Sequence, residues 1–140
     1  MNIRRKKLIR RVIIVLVIFI VAYYFLRTFV IGKPITSFYS NNPKKITKIE
    51  IMSGSTGDTK YITSQDQIKT ITDYLSTLKF KRRYPPDSSG WSYRITAYAD
   101  DKELIELTDQ GDIYIVNGKK YEVNFSNDTS LNDILDDYMN

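Results

Sequence analysis

The chain reads as an α+β protein: an N-terminal transmembrane helix, then a small domain in which an antiparallel meander sheet is covered by two helices. Three observations predict it. An uncharged apolar stretch from Val12 to Leu26 follows six basic residues. Two later segments repeat apolar residues with the period of a helix. Between and around them lie short runs that alternate apolar and polar residues, separated by Gly, Asn and Asp, which is the pattern of strands joined by tight turns.

The first element is an anchor with a direction. Arg4, Arg5, Lys6, Lys7, Arg10 and Arg11 precede the apolar stretch, and Lys and Arg collect on the cytoplasmic side because charge is costly to carry through a bilayer. Residues 1–11 are therefore read as a cytoplasmic basic segment and 12–31 as a transmembrane signal anchor. Leu8 and Ile9 on one side, and Thr28 to Ile31 on the other, bring the apolar length to the roughly 20 residues that a 30 Å hydrocarbon core requires. Arg27 is placed to snorkel at the outer boundary, and Tyr23, Tyr24, Phe25 and Phe29 suit an interfacial aromatic belt. Gly32 and Pro34 end the helix. Bulky residues occupy the place where a cleavable signal needs small ones. The expected location is the cell membrane, with a single pass, the N-terminus cytoplasmic and the C-terminal domain outside.

Charge divides the chain at the same point. Residues 1–34 hold eight Lys and Arg and no acid, which leaves thirteen basic and sixteen acidic residues beyond, a net charge of −3. The overall +5 thus belongs to the anchor. Its natural partner is an anionic lipid surface, and no nucleic acid is expected. The chain has no Cys and no His. Disulfides, thiolate chemistry, the usual zinc sites and Ser-His-Asp relays are excluded. No cofactor and no metal are expected.

Residues 32–45 read as a polar tether, with Pro34 and Pro43 bracketing Ser37, Ser40, Asn41 and Asn42. Residues 46–140 read as the extracytoplasmic domain. It opens with a strand in which Ile49 and Ile51 alternate with Lys48 and Glu50. The Ser53 to Asp58 stretch lacks the Gly-Lys-Ser/Thr ending of a phosphate-binding loop and reads as a hairpin turn before the strand-like Lys60 to Thr63. Ser64 with Gln67 has the spacing of a capping box. Ile68, Ile71, Leu75 and Leu78 then form the stripe of a helix from about Gln65 to Leu78, and Lys79 to Arg83 read as its basic C-terminal end.

After the loop from Pro85 to Gly90 come four strand-like runs: Trp91 to Ala99, Leu104 to Thr108, Ile113 to Ile115, and Tyr121 to Phe125. Asn117-Gly118 suits a type I′ turn. The expected core face carries Trp91, Tyr93, Ile95, Ile113, Ile115, Tyr121, Val123 and Phe125. Thr129 or Ser130 caps a last helix with Leu131, Ile134, Leu135 and Tyr138 on its apolar side.

Candidate chemistry is thin. Alternation places Glu103 away from Glu106, and Asp109 with Asp112 supply too few oxygens for calcium without further ligands. The organisation, a basic signal anchor, a short polar tether and a domain of about a hundred residues, resembles small single-pass membrane-anchored exported proteins of Gram-positive bacteria with no assigned function. That resemblance implies no site residues. From the residues themselves, Lys81, Arg82, Arg83, Tyr84, Asp87 and Trp91 are the candidates for binding a protein or cell-envelope partner, because they flank a loop held by a rigid scaffold. The function expected is a non-catalytic, membrane-anchored accessory domain. The rival expectation is an envelope hydrolase or transferase working through a buried carboxylate pair.

Overall fold

The computed structural model describes residues 3–40, 45–86, 90–124 and 129–140. An apolar helix, α1 (Ile3–Phe25), runs into a π-helical turn (Leu26–Ile31). Its described side chains are exposed up to Arg27, and among the described residues it is the one helix long and apolar enough to cross a membrane. A 3-10 turn (Ile35–Phe38) follows, and then the domain: β1 (Lys48–Ser53), β2 (Thr59–Ile62), α2 (Gln65–Thr77), β3 (Lys79–Arg82), β4 (Tyr93–Ala99), β5 (Lys102–Asp109), β6 (Ile113–Val116), β7 (Lys119–Asn124) and α3 (Leu131–Met139). The class is α+β.

The strands form one antiparallel sheet in the order β2-β1-β4-β5-β6-β7-β3. Only β4 to β7 follow one another as a meander. The β1–β2 hairpin joins beside β4, and β3 crosses to the far edge. The simple meander expected from the sequence is corrected in this respect, because pairing partners distant in sequence leave no local signal. The tight turns are as expected. Asn117 and Gly118 have φ of +47° and +76°, and Asp100 and Asp101 have +49° and +60°, the left-handed pairs that match the twist of a hairpin.

Partners directly opposite share a face, so the registers define the core. Ile49, Ala97 and Ile105 form one row, Ile51, Ile95, Leu107 and Val116 a second, and Phe80 pairs with Val123. All are buried, and they make one cluster with Ile68, Ile71, Tyr74 and Leu75 of α2 and Leu131 and Leu135 of α3. The expected core face was right for Ile95, Tyr121 and Val123. In β6 it was one residue out: Tyr114 and Val116 are each 1% exposed, and Ile113 and Ile115 are half-buried on the opposite face. Tyr114 buries its ring there because its hydroxyl reaches the Asp109 carboxylate across the turn. Trp91 precedes β4 rather than joining it, and Phe125 lies outside the described residues.

Two further expectations are corrected. Lys79 to Arg82 form a strand, not a helix end. Leu78 already has extended backbone (ψ 146°), and Phe80 is fully buried. In α2 the capping box is absent: the Ser64 carbonyl accepts the Ile68 N–H at 2.9 Å, but the Ser64 hydroxyl makes no cap bond. The complete box belongs to α3, where the Ser130 hydroxyl accepts from the Asp133 N–H and the Asp133 carboxylate accepts the Ser130 N–H.

The segment read as a tether is folded onto the domain as far as Ser40. Lys33 exchanges both backbone hydrogen bonds with Phe80 at 2.9 Å, so it covers the free edge of β3. Ile35 is 2% exposed, and the Phe38 ring meets Phe80 and Tyr121 edge-on at 5.5 and 4.9 Å. The Asn117 Nδ2 donates to the Phe38 carbonyl, and the Ser40 N–H donates to the Leu104 carbonyl. Apolar residues scattered among Ser and Pro give no periodicity, which is why this packing was illegible.

Candidate functional site

The basic residues at the end of β3 sit where the apolar helix meets the domain. Lys79 and Lys81 alternate with the buried Phe80, so the pleat turns them to the face opposite the core. Lys81 lies opposite Glu122, which lies opposite Ile113. Arg83 continues the line. Its N–H donates to the Lys120 carbonyl, its Nε to Glu122 Oε2 at 2.7 Å, and its Nη1 to the Phe29 carbonyl of the π-helical turn at 3.0 Å. Arg82 stacks on Tyr84 and Tyr121 at 4.7 and 5.3 Å and donates to the Lys120 carbonyl. Tyr84 is 75% exposed and faces Phe29 at 6.3 Å.

A groove of about 490 Å³ opens beside them, lined by Arg83, Tyr84, Pro85, Asp112, Ile113 and Glu122. It offers a guanidinium, two carboxylates, an exposed ring and an apolar floor. Charged and aromatic groups around an apolar floor are common linings of ligand pockets.

The sequence candidates do not converge. Between β3 and β4 lie β5, β6 and β7, a separation of about 19 Å at the usual strand spacing. Trp91 therefore belongs to a different place, a polar cup of about 320 Å³ with Gly54, Ser55, Tyr93, Asn132 and Asp136. Arg94 covers its ring at 4.9 Å, and Gly54 approaches so closely that a Cβ there would lie 2.0 Å from the Trp91 carbonyl oxygen. In the same cup the Tyr93 hydroxyl donates to Asp136, and this bond, with some burial, pushes the phenol up to about 12. Asp87 lies outside the described residues. Arg5, Lys6, Lys7, Arg10 and Arg11 are exposed on α1, and Arg4 is in the same helix. Phe29, Asp112, Ile113 and Glu122 were missed as site residues. The Lys-Phe-Lys-Arg alternation was a signal for β3, but its pairing with β7, and so the place of Glu122, has no local signal.

The carboxylates are distributed rather than gathered. A bulge between Ala97 and Tyr98 leaves Leu104 as the extra residue of β5, so Tyr98 faces Glu103 and Thr96 faces Glu106. Both glutamates consequently share the outer face, against simple alternation, and Glu103 is exposed. Among the described residues the buried carboxylate is Asp109, 2% exposed, which accepts the Gly111 N–H at 2.7 Å and the Tyr114 hydroxyl. Burial raises its pKa, and these two bonds oppose the rise. Asp112 lines the groove instead. Among the described residues no three His, Cys, Asp or Glu side chains gather where they could hold a metal ion.

The chain matches no protein-family model, no curated protein and no solved structure. Its site must be read from its own chemistry.

Proposed function

We propose that the chain is a single-pass membrane protein whose C-terminal domain is a non-catalytic accessory module, held at the outer face of the cell membrane and binding a protein or cell-envelope component. One observation carries the reading: the exposed apolar helix is bonded to the edge of the sheet, through Arg83 to Phe29 and Lys33 to Phe80. A domain joined in this way follows its anchor, and the groove beside Tyr84 then opens next to the membrane. The same bonds favour an uncleaved anchor, since the end of the apolar helix is part of the folded unit. The six basic residues before the helix favour a cytoplasmic N-terminus.

The chain's lack of cysteine makes the test simple. A Cys placed at the exposed Asp137 of α3 should react with a membrane-impermeant maleimide in intact cells, and the labelled protein should retain the mass of the whole chain. A photo-crosslinking residue at Tyr84 should then give a discrete adduct with an envelope component. Labelling only after lysis, or a mass lacking the first thirty or so residues, would reverse the reading of topology or anchor; no adduct at Tyr84 would remove the groove as the binding site.

A further inference from the structure

Eight basic residues lie in three segments that meet beside the end of the apolar helix: Arg27 and Lys33, Lys79 to Arg83 excepting Phe80, and Lys119 with Lys120. The fold brings them together. Lys33 pairs with Phe80, a Cβ on Gly32 would lie 3.1 Å from the Lys81 side chain, and the Lys120 carbonyl takes bonds from both Arg82 and Arg83. Glu122, ion-paired to Arg83, is set among them. Six of the thirteen basic residues beyond position 34 are in this collar, although residues 35–140 as a whole are net negative. Such a concentration of like charge is self-repelling and calls for counter-charge.

Its depth identifies the counter-charge. Lys33 reaches over the Tyr24 ring at 5.5 Å and Arg83 bonds to Phe29, so the collar is level with the last two turns of the apolar run. If that run crosses a hydrocarbon core of about 30 Å, these turns lie among the headgroups. We propose that the collar binds the phosphates of anionic phospholipids, so that the β3 edge of the domain lies on the headgroup layer. This rests on the membrane-anchored reading above and adds to it a lipid class and an orientation.

The test uses the full chain in nanodiscs, with spin-labelled phosphatidylglycerol and phosphatidylcholine reporting the lipid held against the protein. Preference for phosphatidylglycerol should be about threefold or more, given the attraction of each basic residue to an anionic surface. The combined Lys79→Gln, Lys81→Gln and Lys119→Gln variant should lose most of it, while Lys→Arg at the same positions should keep it. Neutralising Arg5, Lys6 and Lys7 separates the contribution of the other end of the anchor and should leave the collar's share intact. Equal preference in the wild type and the triple Gln variant would overturn the proposal. So would loss of preference on adding inorganic phosphate at constant ionic strength, which would mark a free-anion site. A chain that does not enter nanodiscs at all would instead overturn the anchored reading.

Discussion

Asp109 shows how a single side chain sets a phase. Its carboxylate is buried at the end of β5, and the Tyr114 hydroxyl and Gly111 N–H satisfy it. Hydropathy alone ranks Ile113 and Ile115 above Tyr114 for the core, because it sees an isoleucine and not the partner that a tyrosine hydroxyl finds across the turn. The same burial gives a pH signature. Desolvation raises the Asp109 pKa above its ordinary value near 3.8, so over that interval the folded chain holds a proton that the unfolded chain has released. Stability from this group is present at low pH and falls as pH rises through the interval, then levels off. Asp133 acts oppositely: bonds from the Ser130 N–H and hydroxyl lower its pKa, so its contribution is lost on acidification. Comparing the wild type with Asp109→Asn cancels the Asp133 effect. The difference in unfolding free energy, followed by Trp91 fluorescence in urea from about pH 3 to pH 7, should decline with rising pH and then stay level. A flat or rising difference would show that Asp109 is not desolvated as described.

At the scale of elements, β3 decides most of what the sequence left hidden. Its four residues follow α2 with one residue between, and a basic run after a helix reads equally as a C-terminal charge complement. The period-two alternation favours a strand, but four residues are too few to outweigh the helix that precedes them. The long, strongly patterned elements were legible: α2, the β4 to β7 runs, α3 and the Asn117-Gly118 turn all rest on local chemistry. The edge position of β3, the placing of β1 beside β4, and the bulge at Leu104 depend on pairing between distant segments. Most of the candidate site was lost with them, since Glu122 and Ile113 become neighbours of Arg83 only through the β3–β7 and β6–β7 ladders. Phe80→Ala tests the strand. A fully buried ring packed edge-on against Phe38, Tyr114 and Tyr121 should cost about 3 to 5 kcal/mol when removed, measured by chemical unfolding of the full chain in micelles. A loss below about 1 kcal/mol is what an exposed helix end would give, and it would return Lys79 to Arg82 to that role.

At the scale of the molecule, the apolar helix and the domain are continuous. The sheet's β3 edge would offer unpaired N–H and C=O groups to any passing strand, and Lys33 with the turn before it occupies that edge. The other edge, β2, is short and carries the exposed Lys60, a usual way of discouraging strand addition. Residues 32–40 thus have two physical tasks, closing an edge and filling the core beneath Phe80. Chains shortened from the N-terminus separate them from the apolar helix. A chain starting at Gly32 keeps the Lys33 pairing, Ile35 and Phe38, and should be monomeric and folded. One starting at Asn41 loses the burial of Ile35 and the partial burial of Phe38, about 2 to 4 kcal/mol at the usual value for apolar side chains, and exposes the β3 edge. It should melt at a markedly lower temperature and associate in a concentration-dependent way, as read by thermal unfolding and light scattering. Equal melting temperature and equal mass for the two chains would mean that residues 32–40 are a loose tether after all, and that the apolar helix does not fix the pose of the domain.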